Sequence, residues 1–251
     1  MSADLRLLPD PAALAAGVAA EVAGALAAAA RERGSASIAL SGGSTPRALY
    51  RRLAGDHHDD VPWERVHVFW GDERDVPLDD EHSNCRMARE ALLDAVPVPR
   101  QQVHPMPAGT DDPEGAAVAY EHALRAFFDA KGADGADGAP WPVFDLVLLG
   151  LGEDGHTASL FPGAAALDER RRWVVPATAP VEPRRRLTLT LPALTHARRI
   201  FVVVAGASKA EPLRRAVAGP PDPACPASLL RTGSAPVTWW ADGAAAVMLP
   251  G

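Results

Sequence analysis

The sequence predicts an α/β protein: a modified Rossmann-like, doubly wound, mostly parallel sheet with helices on both faces. Three observations point there. Short, continuously apolar runs alternate with segments of helical periodicity, the pattern of strands covered on both faces. Glycine-rich loops bearing Ser, Thr, Asp and His follow several of those runs, where the carboxyl ends of parallel strands place ligand sites. At 251 residues and 47% hydrophobic composition, the chain can build a sizeable core without disulfides or metal. No internal repeat divides it, so residues 1–251 are expected to form a single α/β domain.

Taken in order, the first helix is strongly marked. Asp10 can cap it, Pro11 suits its first position, Gly34 follows its end, and Leu14, Val18, Val22 and Leu26 share one face. A buried strand is read over 36–41, and "STPRALYRRLA" restarts a helix with Pro46 in its first turn. "RVHVFWGDE" reads as a strand over about 65–71, and "SNCRMAREALLDAV" as a helix capped by Ser83. A helix over about 112–131, capped by Asp111 or Asp112, precedes the low-complexity stretch "GADGADGAP", read as a surface loop. Then come the strand within "VFDLVLLGLG" and strands at about 172–178, 185–191 and 199–205. A helix closed by Gly219 and a last strand in "VTWWAD" complete the pattern, with Trp63, Trp239 and Trp240 read as core.

Composition excludes several classes. The formal charge of −7 argues against nucleic-acid binding, which calls for a basic face. Cys85 and Cys225 are far apart and no CxxC or Cys/His cluster occurs, so neither a metal site nor a disulfide framework is expected. Residues 1–9 lack the order of a signal peptide. The stretch Ala12 to Ala30 is mostly alanine, interrupted by Glu21, and reads as too weakly apolar to span a bilayer. A cytoplasmic monomer, with no membrane or nucleic-acid partner, is the expectation.

Four loops carry candidate chemistry. "SGGSTP" (41–46) lies between strand and helix; Gly42 and Gly43 allow close backbone approach, Ser44 and Thr45 supply hydroxyls, and the helix start supplies free N–H groups. These suit a phosphate, although a tight turn with a Ser/Thr cap fits the spacing equally well. In "WGDERDVP", Asp72, Glu73 and Arg74 put two acids beside a base, as a solvated ion-pair loop would also do. In "LGLGEDGHTASLFPG", Asp154 and His156 stand two apart among Gly150, Gly152 and Gly155. A histidine oriented by a carboxylate is a competent general base. Finally, Arg186 begins one strand and Lys209 follows another at a helix start, and either can neutralise phosphate charge. Arg184, Arg185 and 170–172 read as solvated surface. There is no GxSxG elbow, and nothing marks Ser159 as a nucleophile.

The order of these segments resembles the 6-phosphogluconolactonase family. "SGGSTP", "GDERDVP" with Ser83–Asn84, "GEDGHTASLFP", "RRLTLTLPAL" and "GASKAEPL" follow one another over about residues 36–240, and the histidine segment is the most specific. The resemblance implies hydrolysis of 6-phosphoglucono-1,5-lactone to 6-phosphogluconate in the oxidative pentose phosphate pathway, without cofactor. It implies His156, Asp154 and Asp72 as the catalytic set. Substrate and phosphate binding fall to Gly42, Gly43, Ser44, Thr45, Arg74, Asn84, Gly152, Arg186 and Lys209. The related glucosamine-6-phosphate deaminases share the fold but carry Asp-Glu-Tyr where this chain has Asp72-Glu73-Arg74. They also carry a glutamate where this chain has Phe161, which cannot relay a proton.

Overall fold

The computed structural model describes residues 4–129 and 141–249. The "GADGADGAP" stretch lies outside the described residues. The chain runs β1 (Asp4–Leu8), α1 (Pro11–Arg33), β2 (Ala36–Leu40), α2 (Ser44–Asp56), β3 (Val66–Trp70), β4 (Asp72–Arg74), α3 (Asn84–Ala88) and α4 (Pro113–Asp129). It continues through β5 (Leu146–Leu149), β6 (Val174–Thr178), β7 (Arg185–Leu189), α5 (Leu191–Thr195), β8 (Ile200–Val204), α6 (Ala210–Ala218), β9 (Val237–Asp242) and α7 (Gly243–Ala246).

Six strands form one parallel sheet in the order β1-β9-β8-β5-β2-β3. Every residue of β2, β5 and β8 is buried, which requires cover on both faces and explains why these strands read as unbroken apolar runs. The helix α1 covers part of it with Leu14, Val18, Val22 and Leu26. Asp10 accepts the Ala13 N–H at 2.8 Å and Gly34 ends the helix at φ 78°, as the sequence predicts. By length and composition α1 is apolar enough to cross a membrane, contrary to the sequence reading, but its apolar face is taken up by the sheet. From α4, Phe127 and Phe128 pack on Phe69 of β3, and Phe128 also on Phe144, with ring centroids 4.8–6.0 Å apart. Losing one such ring costs about 3–5 kcal/mol.

Three strands depart from the expected parallel sheet. β4, β7 and β6 form a separate antiparallel sheet, because an apolar run specifies a buried strand and not its partner. Gly71 joins the two sheets: its N–H donates to Leu40 O at 2.9 Å, and its carbonyl accepts from Leu189 N at 2.8 Å. Asp72–Arg74 is thus a strand, not a loop. The strand β1 escaped the sequence reading because it is short, charged and half-exposed. The helix beginning at Ser83 changes after Ala88 to a π-turn over Arg89–Leu93.

From β2 the chain goes first to β3 on one side, and later to β5 on the other. The sheet order therefore reverses between β2 and β5. The loops leaving their carboxyl ends diverge there and open a crevice.

Candidate active site

A cavity of about 210 Å³ occupies this crevice. The loop after β2 contributes Ser41, Gly42 and Gly43, and the loop after β5 contributes Gly150, Leu151, Gly152, His156 and Ala158. Asp72 and Arg74 of β4, Asn84 at the start of α3, and Lys209 before α6 complete the wall.

Two glycines are there for close approach. A Cβ on Gly42 would lie 1.8 Å from Asn84 Oδ1, and one on Gly152 would lie 2.0 Å from His156 Nδ1. His156 is held by its own loop: Nδ1 lies 2.5 Å from Asp154 Oδ1, and its backbone N–H donates to the same oxygen at 3.0 Å. Burial alone would raise the Asp154 carboxyl, but the hydrogen bonds and charge of His156 outweigh it and hold it below the usual aspartate range. With Nδ1 turned to the carboxylate, Nε2 is the imidazole nitrogen left for a ligand. The Phe161 ring lies 4.6 Å from that of His156, centroid to centroid.

The second acid of the Asp-Glu pair has a different task. Glu73 is fully buried, and its two oxygens accept from Arg74 N, Asn84 N and Cys85 N at 2.7 Å each and from Ser83 Oγ at 3.1 Å. Burial pushes its carboxyl up, and the three backbone donors partly offset this. It anchors the Ser83–Asn84 turn and thereby Asn84, whose Nδ2 donates to Asp72 O at 2.9 Å.

The cations are arranged unlike the anions. Arg74 on β4 lies directly across from Arg186 on β7, so the two guanidiniums share one face of the small sheet. Arg186 is buried and its Nη1 has no hydrogen-bond partner. Burial first, and then the charge of Arg74, lower its guanidinium from the usual value. Arg74 donates to His82 O at 2.6 Å, and Lys209 Nζ has Glu153 Oε1 at 3.9 Å. Ser41 Oγ and Asn84 Oδ1 are likewise buried without a partner. Buried polar atoms are nearly always satisfied, so such atoms gathered at one crevice mark a place built for a polar, anionic ligand.

Most of the residues expected from sequence converge here, and four stand back from the wall. Ser44 and Thr45 form the first turn of α2, Asp154 lies behind His156, and Arg186 lies beside Arg74 in the layer beneath. Sequence reasoning passed over Ala158, which lines the cavity at φ 47°; no side-chain chemistry signals it. Among the described residues, no group of His, Cys, Asp and Glu is placed to hold a metal.

A sequence model of the glucosamine-6-phosphate isomerases/6-phosphogluconolactonase family matches residues 9–239. The chain belongs to this family. It is 41% identical to the 6-phosphogluconolactonase of Mycobacterium tuberculosis over 255 aligned positions, covering 100% of both chains. It is 47% identical to that of Synechocystis sp. over 192 residues, 76% of this chain and 75% of the relative. The solved 6-phosphogluconolactonase of Trypanosoma brucei superimposes with a TM-score of 0.87 at 31% identity, over 99% of each chain.

Proposed function

We infer that the chain is a 6-phosphogluconolactonase, hydrolysing 6-phospho-D-glucono-1,5-lactone to 6-phospho-D-gluconate in the oxidative pentose phosphate pathway. The observation that carries this reading is the pairing, in one crevice, of a carboxylate-oriented imidazole with two cations: Arg74, which has no carboxylate partner among the described residues, and Lys209, which has Glu153 only at 3.9 Å. Lys209 and Arg74, with the N–H groups at the start of α2, bind the 6-phosphate, and Arg186 adds positive potential from behind. Fixing that remote group places the lactone carbonyl beside His156.

His156 Nε2 takes a proton from water as the water oxygen bonds to C1. The negative charge developing on the carbonyl oxygen faces the backbone N–H groups of Gly150 and Leu151, since that of Gly152 already donates to His156 O at 2.8 Å. When the C1–ring oxygen bond breaks, the imidazolium returns the proton to that oxygen, which leaves as a hydroxyl, and the product acid ionises in water. Asp154 keeps Nδ1 protonated and Nε2 free. Asp72 receives the sugar hydroxyls. A general base alone contributes about 10²–10⁴-fold, enough for an ester already strained in a ring. Phe161 beside His156 offers no proton, which favours hydrolysis over the amino-sugar ring opening of the deaminases. Both cysteines are free and buried, as suits a reducing, cytoplasmic setting.

One paired assay tests the reading: opening of 6-phosphogluconolactone against deamination of glucosamine 6-phosphate. Turnover of the lactone and not of the amino sugar is expected; the opposite result would overturn it.

A further inference from the structure

Asp72 sits one strand step from Arg74 and diagonal to Arg186, on the same face of the small sheet. Both guanidiniums are short of anionic partners, and the charge of Asp72 already acts on Arg186. A carboxylate free to rotate there would turn onto them and neutralise the cations that the phosphate needs. It does not, because Ser159 Oγ donates to Asp72 Oδ2 at 2.7 Å.

Ser159 is itself fixed. It is 1% exposed and stands off the cavity wall. Its N–H donates to Thr188 Oγ1 at 3.3 Å, and Thr188 is the residue paired with Asp72 across β4 and β7. The turn that delivers it is held by Thr157 Oγ1 donating to Gly150 O at 2.9 Å and by Leu160 N donating to Thr157 O at 3.0 Å. Ala158 takes the left-handed conformation between them, a local cost that is maintained where the surroundings over-determine it. The result is that Ala158 faces the cavity while Ser159 faces Asp72.

We propose that Ser159 is a positioning residue that holds the Asp72 carboxylate away from Arg74 and Arg186. Arg74 then remains open to phosphate, Arg186 keeps its positive potential behind it, and the second carboxylate oxygen remains open to sugar hydroxyls. This rests on the lactonase reading of the cavity for its substrate, but the charge separation stands on the hydrogen bonds alone.

The test is a double-mutant cycle with two readouts: lactone kinetics, and calorimetric titration of inorganic phosphate, which needs no turnover. Ser159→Ala is expected to weaken phosphate binding and raise KM about tenfold, the size of one lost charged contact, with kcat changed far less. Ser159→Thr, which keeps the hydroxyl, is expected to recover much of the loss. In an Asp72→Ala background Ser159→Ala should do nothing further to phosphate affinity, because no carboxylate remains to swing. Phosphate affinity unchanged in Ser159→Ala, or the same fold loss with and without Asp72, overturns the proposal. Should Ser159→Ala not fold, Ser159→Cys, a near-isostere with a weak donor, is read against the same outcomes. A wild-type protein whose phosphate affinity depends on Ser159 as stated, yet which opens no lactone, would sink the functional reading and leave this inference standing.

Discussion

At the amino ends of the parallel strands a cavity of about 580 Å³ opens among Arg33, Asp145, His196, Arg198 and Arg199. At the carboxyl ends the candidate active site encloses about 210 Å³. Arginine lines both, three in the larger and Arg74 in the smaller, but their charges are handled in opposite ways. In the larger cavity Asp145 accepts the Ser37 N–H at 2.8 Å and its hydroxyl at 3.0 Å, and it pairs with Arg33 Nε at 2.8 Å and Arg198 Nε at 3.5 Å. Asp145 is fully engaged there and ties α1 to the start of β5. In the smaller cavity a serine takes up the aspartate, and buried Arg186 Nη1 is left without a partner. Volume therefore does not locate the chemistry; unmatched charge at the reversal point of the sheet does.

If that contrast is right, substitutions at the carboxyl end change rate and affinity, while those at the amino end change only stability. The largest effect is expected for His156→Ala: a fall in kcat of about 10²–10⁴-fold, with phosphate affinity by calorimetry and the thermal midpoint retained. A variant turning over at the wild-type rate would remove the distinction between the two cavities. Asp145→Ala should cost about 1–3 kcal/mol of unfolding free energy in urea, because it strands the buried Ser37 N–H, while the half-exposed guanidiniums of Arg33 and Arg198 turn to water. Its kcat and KM should stay at wild-type values.

Lys209→Ala should raise KM roughly 10–100-fold, the range for a hydrogen bond to a charged group, with kcat largely kept. A drop in kcat alone would place Lys209 in the chemistry instead of in phosphate binding. The pH dependence sharpens the comparison further. The Asp154 carboxyl is held low in the folded protein, so its contribution is complete above the unfolded aspartate value of about 3.9. That contribution disappears as pH falls through the lower folded value. The difference in thermal midpoint between the wild type and Asp154→Asn should thus be constant near neutrality and shrink below about pH 4. A gap that widened on acidification would reverse the sign of the shift. At the small end, Arg199→Ala should shift stability by no more than about 0.5 kcal/mol, as for an exposed side chain without a special contact.

Much of this architecture is legible residue by residue. The cap on Asp10, the left-handed Gly34, the buried runs of β2, β5 and β8, and the Asp154–His156 pair all depend on neighbours within a few positions, and periodicity and hydrogen-bonding capacity express them directly. The partition of the strands into two sheets does not. Val174–Thr178 and Arg185–Leu189 read as strands like those of the parallel sheet, and only the pairing of β7 with β6 and, across more than a hundred residues, with β4 separates them.

The same limit divides the site. Composition and order alone assembled the Gly-rich loops, the imidazole and its acid, and the two lines of cations. Tertiary structure decided that Arg186 lies beside Arg74 instead of on the wall, and that Ser44 and Thr45 stand in the first turn of α2, off the cavity wall. It also decided that Ser159 reaches Asp72, 87 positions distant. Short-range geometry is written in each segment because it closes within a turn or two. Long-range contact depends on which strand registers with which, and that is settled only when the whole core packs.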